Sequence, residues 1–214
     1  MKDFSVAMAL VDYIPVVLFA AAAVILQRDL YNKMSKGAFA LFAGGTIDII
    51  LAGTLKATYK LLYGAGICDF EALNDMFFPV QSIGFLLAGI GMIAMLCHRQ
   101  AKHSVHTAVI PPVFSGTFVF VTIMVAGLGL IDFVLCAVSV RMRKPLLVIL
   151  FTVSFICSLC MGYLSSRDFT EASMNWITEG VNIIGQGSLF AGVMILHAKG
   201  LNDARIRKDE TAVQ

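Results

Sequence analysis

Asn175, Glu179, Asn182 and Gln186 are four polar residues in one apolar stretch near the C-terminus, spaced four, three and four positions apart. At about 100° per residue of α-helix they fall within an arc of about 60°, so a helix through them carries a single polar stripe. An ionised carboxylate turned toward lipid is costly, which directs the stripe to a bundle interior or to water. There, Glu179 can accept a proton or pair with a cation, while Asn182 and Gln186 can orient a bound group through hydrogen bonds. The amides alone would serve equally well as links between helices, each worth about 0.6–2 kcal/mol. Packing does not require a charge, so Glu179 is the member of the stripe that points to binding. Trp176, within a turn of Glu179, suits either an interfacial anchor or an aromatic pocket wall.

Three more acids, Asp12, Asp48 and Asp132, interrupt other apolar stretches. No basic residue stands near mid-stretch to neutralise them, so each is expected to carry a proton or a cation, or to lie close to a helix end. This excess of acid over base suggests proton or sodium coupling, or a cationic solute. Asp48 lies nearest the middle of its stretch and leans toward function. Asp12 and Asp132 fit equally well as caps of kinked or broken helices, with Pro15 and Pro79 as candidate breaks. Lys56 and Lys60 fall in the last turns of the second stretch, where long side chains can reach the interface. Gln81 shares a face with Gly84, Ala88 and Gly91, a small-residue groove that suits close helix packing. The candidate binding residues are thus Glu179, Asn182, Gln186, Asp48, Asn175, Trp176, Gln81 and Asp12.

The elements that must position these residues follow from composition. Of 214 residues, 58% are apolar and 14% charged, against about 45–50% and about 25% in soluble domains, and mean hydropathy is +0.84. A bilayer core of about 30 Å needs roughly 20 apolar residues per helix. Apolar stretches at 6–27, 38–63, 77–97, after Pro111-Pro112 to 140, 146–165 and 176–197 predict an all-α polytopic membrane protein with six transmembrane helices. The chain forms one transmembrane domain, with a polar tail at 199–214 that is expected to fray. The first stretch is long for a signal peptide and has no convincing cleavage site, so it reads as a retained helix. Two crossings from 106–140 would have about 17 residues each, the bare minimum. Seven helices remain the alternative, because charge distribution prefers them: with both acidic loops outside, nearly all Lys and Arg would be cytoplasmic. A net charge of +2 excludes a nucleic-acid binder, and the lack of soluble chain excludes an appended nucleotide-binding domain.

The chain also matches itself at an offset of about 100 residues. Asp69-Phe70 aligns with Asp168-Phe169, Glu71-Ala72 with Glu171-Ala172, and the run Gly84 to Ile90 with Gly187 to Val193. This suggests two three-helix repeats, at about 5–98 and 108–198, in which Gln81 lies in the counterpart of the polar stripe. In a six-helix chain the two units would be inverted; in a seven-helix, three-plus-one-plus-three chain they would be parallel. Either form favours a secondary transporter or carrier for a small polar solute or cation, proton- or sodium-coupled. A sensor or accessory subunit that binds a ligand or partner helix without transport is the alternative. The expected partners are the lipid bilayer, the solute and a second copy in a homodimer, and the expected location is the cell (inner) membrane.

No enzyme activity, cofactor or metal is expected. His98, His103 and His106 lack carboxylates or cysteines at regular metal spacing. Cys157-x-x-Cys160 lies inside an apolar stretch, where small packing residues are a better reading than a redox pair, and five cysteines argue against a full disulfide framework. No phosphate loop, zinc-protease motif or serine elbow is present, and the last stretch has no interior lysine for a Schiff base.

Overall fold

The structure is a computed structural model that describes residues 5–97, 117–164 and 172–204. Its helices are α1 (Val6–Val11), α2 (Tyr13–Leu30), α3 (Lys36–Gly64), the short α4 (Ala72–Asp75), α5 (Phe77–Cys97), α6 (Thr117–Arg141), α7 (Leu146–Leu164) and α8 (Ala172–Ala198). Among the described residues there is no strand, and six helical segments are long and apolar enough to cross a membrane. The chain is therefore an all-helical, multi-pass membrane protein, as its composition requires.

Local chemistry sets the helix ends. Ser5 and Ser35 cap α1 and α3, their hydroxyls accepting the N–H of Met8 and Ala38, each at 3.2 Å. Pro15 lacks the N–H that would reach the carbonyl of Val11, and the helix is interrupted between them, at Asp12. Its two pieces still form one span. Between α6 and α7, Arg143 takes a left-handed φ of 57°, and the N–H of Lys144 returns to the carbonyl of Ser139 at 2.9 Å. The same closing motif ends α8: Gly200 has φ 81° and the N–H of Leu201 reaches the carbonyl of Leu196 at 3.1 Å. Leu201 is fully buried, and the ammonium of Lys33 donates to the carbonyl of Ala204 at 2.6 Å. The tail therefore does not fray from its first residue: 199–204 is held by a helix cap, an apolar anchor and a lysine. Residues 205–214 lie outside the described residues.

Contacts along the helices fix their directions. Tyr13 bonds Thr58 at 2.8 Å and Gln27 bonds Thr46 at 2.7 Å, so α2 and α3 are antiparallel. Gly84 meets Gly45 while Gly91 meets Ala38 and Phe42, so α3 and α5 are antiparallel. Gly129 meets Phe155 while Gly162 meets Val121 and Val125, and Gly185 meets Cys157 while Gly192 meets Phe151; α7 is antiparallel to both α6 and α8. Asp29 pairs with His197 at one end and Asp12 lies beside Glu179 toward the other, so α2 and α8 are parallel. It follows that α5 and α6 run in the same direction, and that Cys97 and Thr117 lie at opposite ends of the bundle. The described helices number six, but their directions are those of the seven-crossing alternative. The two triplets, α1–α2/α3/α5 and α6/α7/α8, are parallel and not inverted, because the parity argument for inversion assumed that α5 and α6 begin at opposite ends. Residues 98–116, which join those ends, lie outside the described residues.

The triplets meet through small residues. A methyl group built on Gly127 would collide with the backbone of Phe85 and Leu86, and one on Gly89 with the carbonyl oxygen of Gly127 at 2.7 Å, so α5 and α6 touch backbone to backbone. Toward the end that carries Asp29 and His197, the bundle is filled by buried Leu26, Leu30, Met92, Val138, Phe151 and Leu196. Toward the opposite end it opens.

Candidate binding site

A cavity of about 530 Å³ occupies that second half, with walls from all six spans. It runs from Asn74, Lys60 and Asn175, near helix ends, to Gln186, which lies about 21 Å along α8 from its start at 1.5 Å per residue. That depth is near the middle of the bundle.

The structure brings together six of the eight candidate residues. Asn175, Glu179, Asn182 and Gln186 all line the cavity, together with Gln81 from α5 and Asp12 from the break between α1 and α2. Gln81 thus separates from its small-residue face: Gly84 and Gly91 pack on the backbone of α3, while the amide one turn earlier lines the cavity. The break at Asp12 places its carboxylate at the mouth, where the side chain makes no capping bond and pairs instead with Lys60.

Two candidates lie elsewhere. Trp176 does not line the cavity and is 47% exposed; of its two readings, the position suits the interfacial anchor. Asp48 is half-buried at the α3–α5 crossing, its Cβ against the position a side chain on Gly84 would take. The face of α3 that lines the cavity carries Ile49, Gly53, Lys56 and Lys60, and Asp48 sits one residue off that register. Asp132 also lies apart, 2% exposed in unbroken α6, where it lines a separate groove with Thr152 and Phe155 of α7. It caps no helix end.

The sequence reading misplaced Lys56 and Lys60. Neither reaches away to the interface: both line the cavity. Lys60 forms its ion pair with Asp12 where the side chains are only 12% and 7% exposed. The ammonium of Lys56 stands 3.8 Å from the ring centre of Phe77 and 5.8 Å from that of Phe78, a cation–π arrangement. The signal was available in the spacing, since Gly53, Lys56 and Lys60 fall within an arc of about 60° of helix. Lys56 and Lys60 both act on the charge of Glu179, as does Asp12. Two acids and two bases therefore face one another, and the acid excess that suggested a cationic solute or ion coupling does not exist at this cavity.

Several polar atoms in the cavity wall are left over. Asp12 Oδ1, Gln81 Oε1, Ser154 Oγ, Ser158 Oγ, Glu179 Oε1 and Gln186 Oε1 are buried and find no donor or acceptor of good geometry among the described residues, the carboxyls of Asp12 and Glu179 touching each other. Buried polar atoms are almost always bonded, so six that line one cavity are available to whatever enters it. Phe19, Phe77, Phe78, Phe85, Met124 and Leu128 supply apolar walls. This mixture of apolar lining and a few convergent polar groups is typical of small-molecule pockets.

Among the described residues no group of three or more His, Cys, Asp or Glu is placed to hold a metal ion; His98, His103 and His106 lie outside them. Cys157 lines the cavity, Cys160 is exposed, and all five cysteines are free thiols. Neither a known protein family, nor a curated protein, nor a solved structure matches the chain.

Proposed function

We propose that the chain is a small membrane carrier that binds a polar solute in the cavity between its two helix triplets and moves it across the bilayer. The convergence of six buried polar atoms without a well-placed partner on a cavity that reaches mid-bundle from one end supports this most directly. The opposite half is closed by close-packed apolar side chains and the Asp29–His197 pair, with Nδ1 2.8 Å from Oδ2. A half-depth cavity above a closed apolar half is what one of two alternating states of a carrier requires, and parallel repeats about an axis along the membrane normal are one of the known carrier designs. Both triplets contribute walls, so a movement of one against the other would close one end and open the other.

The test begins with a thermal-stability screen of the detergent-purified protein against small metabolites and ions, run in parallel on Glu179→Gln. A ligand specific to the folded state raises the unfolding midpoint by mass action. A compound that stabilises wild type and not the variant is then loaded into proteoliposomes for flux. Binding followed by flux supports the carrier; binding without flux replaces it with a membrane sensor that uses the same cavity.

A further inference from the structure

The charges around the cavity narrow the solute, on the premise that the cavity is the binding site. Four acidic and basic side chains line it, the carboxyls of Asp12 and Glu179 against the amines of Lys56 and Lys60, and their formal charges cancel. Asp12 and Lys60 are already joined as an ion pair. Lys56 is different: among the described residues its ammonium rests on the Phe77 ring, at 3.8 Å, and on no carboxylate. Glu179 is 6% exposed, its Oε1 lacks a partner, and the group its carboxyl does touch, Asp12, is a second acid and not a cation. Among the described residues, one cation and one acid thus lack an opposite charge at contact, on two helices that line the same cavity.

Charge in a low-dielectric site is tolerated only when it is balanced. A solute with a net charge would leave this neutral set unbalanced. A neutral polyol would leave the Lys56 ammonium and the Glu179 carboxylate without counter-charges at contact. A molecule that carries both signs and sums to zero satisfies both conditions.

We propose that the solute is a small zwitterion, with its ammonium group at Glu179 and its carboxylate or other acidic group at Lys56. The amides of Gln81, Asn182 and Gln186 extend deeper and can bond further polar groups, while Phe77, Phe78 and Phe85 can cover hydrocarbon. This is the arrangement an amino acid or an ω-amino acid would need.

The experiment measures thermal unfolding of the full chain in detergent against matched probes. These are the twenty protein amino acids and 4-aminobutyrate, with butylamine, butyrate and sorbitol as the single-charge and neutral counterparts. The expected result is that at least one zwitterion raises the midpoint while butylamine, butyrate and sorbitol do not. Its affinity should fall at least tenfold in both Lys56→Gln and Glu179→Gln, and stay near wild type in Cys160→Ser. Where a neutral variant fails to fold, Lys56→Arg and Glu179→Asp keep the charge and should preserve the preference for the zwitterion at reduced affinity.

Butylamine, butyrate or sorbitol binding as tightly as any zwitterion, with loss in Glu179→Gln, overturns the solute class and leaves the cavity reading intact. No response to any zwitterion also overturns the class. Zwitterion binding that depends on both residues but yields no flux in proteoliposomes supports the class and overturns carriage alone.

Discussion

Replacing Lys60 by Met should destabilise the protein more than replacing its ion-pair partner Asp12 by Asn. Both side chains are nearly buried, at 12% and 7% exposure, and removing one member of a buried pair typically costs about 3–5 kcal/mol because the other charge is left without compensation. The surroundings make the two losses unequal. Methionine keeps most of the lysine stem's volume, but without the ammonium the touching carboxyls of Asp12 and Glu179 lose their nearer cation and keep Lys56 as the remaining one of the cluster. Lys60→Met should therefore fall in the upper part of that range. Asp12→Asn leaves Lys60 with Glu179 close by as a substitute partner, so its cost should fall below the range. The double variant Lys60→Met/Asp12→Asn removes the pair as a whole, leaves Lys56 and Glu179 in balance, and should return to within about 1 kcal/mol of wild type, since replacing a whole buried pair is often nearly neutral. Equilibrium unfolding in mixed micelles on all four proteins closes a double-mutant cycle with a coupling of at least about 2 kcal/mol. Single-variant costs within about 1 kcal/mol of wild type, the behaviour of an exposed surface pair, would refute the burial argument. Asp12→Asn costing more than Lys60→Met would refute the role given to Glu179.

At the helix crossings, Gly45→Ala should destabilise by about 2 kcal/mol or more, because its methyl group would meet the backbone carbonyl of Gly84 and, at 2.6 Å, the amide nitrogen of Ala88. Its neighbour Gly44 has nothing within 4 Å of the same methyl position, so Gly44→Ala should be neutral or stabilising by up to about 1 kcal/mol; thermal midpoints of the two variants decide. Single-cysteine proteins labelled with a membrane-impermeant maleimide should show Cys68 and Thr117→Cys on one face and Cys97 on the other, and Cys97 labelling together with Thr117→Cys would overturn the parallel directions of α5 and α6. Asp132 is 2% exposed, neither carboxylate oxygen meets a donor at full hydrogen-bond geometry among the described residues, and the Ser154 hydroxyl is the donor that acts on its charge, so Asp132→Asn should raise the unfolding midpoint in detergent. A lower midpoint would mean that the carboxylate has a stabilising partner in solution.

The fold class was legible because hydropathy is a one-dimensional property: a run such as 77–97 must be a helix in lipid whatever surrounds it. The turn at Arg141 to Pro145 could likewise be read from charge and proline alone. Helix direction was not legible by the same means. It depends on how many times the chain crosses, and over the stretch from His106 to Val140 span length favoured six crossings where charge distribution favoured seven. Contacts such as Gly89 with Gly127 and Asp29 with His197 carry that information, and they join residues 38 to 168 positions apart. The pairing of an aspartate in the last turn of α2 with a histidine in the last turn of α8 left no periodic trace in the sequence.

The polar stripe on α8 was readable because its four members sit on one helix, where spacing alone fixes the shared face. Asp12 and the two lysines became one cluster only when α1, α3 and α8 were set side by side. Read singly, Asp12 resembled a cap and Lys60 an interfacial lysine, and both readings followed sound local rules. What overrides them is that a carboxylate and an ammonium within reach in a low-dielectric interior favour each other over separate solvation, provided that the helices already bring them close. The α3–α5 crossing does so from one side, since its glycines bring the helices together and leave Gly53, Lys56 and Lys60 on the face that lines the cavity. The break at Asp12 does so from the other, by setting the carboxylate at the mouth. Charge in a span is thus not by itself a marker of ion coupling. The informative quantity is the charge left without an opposite charge in contact after the helices have assembled, and among the described residues of this cavity Lys56, on the Phe77 ring, and Glu179, against Asp12, are so left.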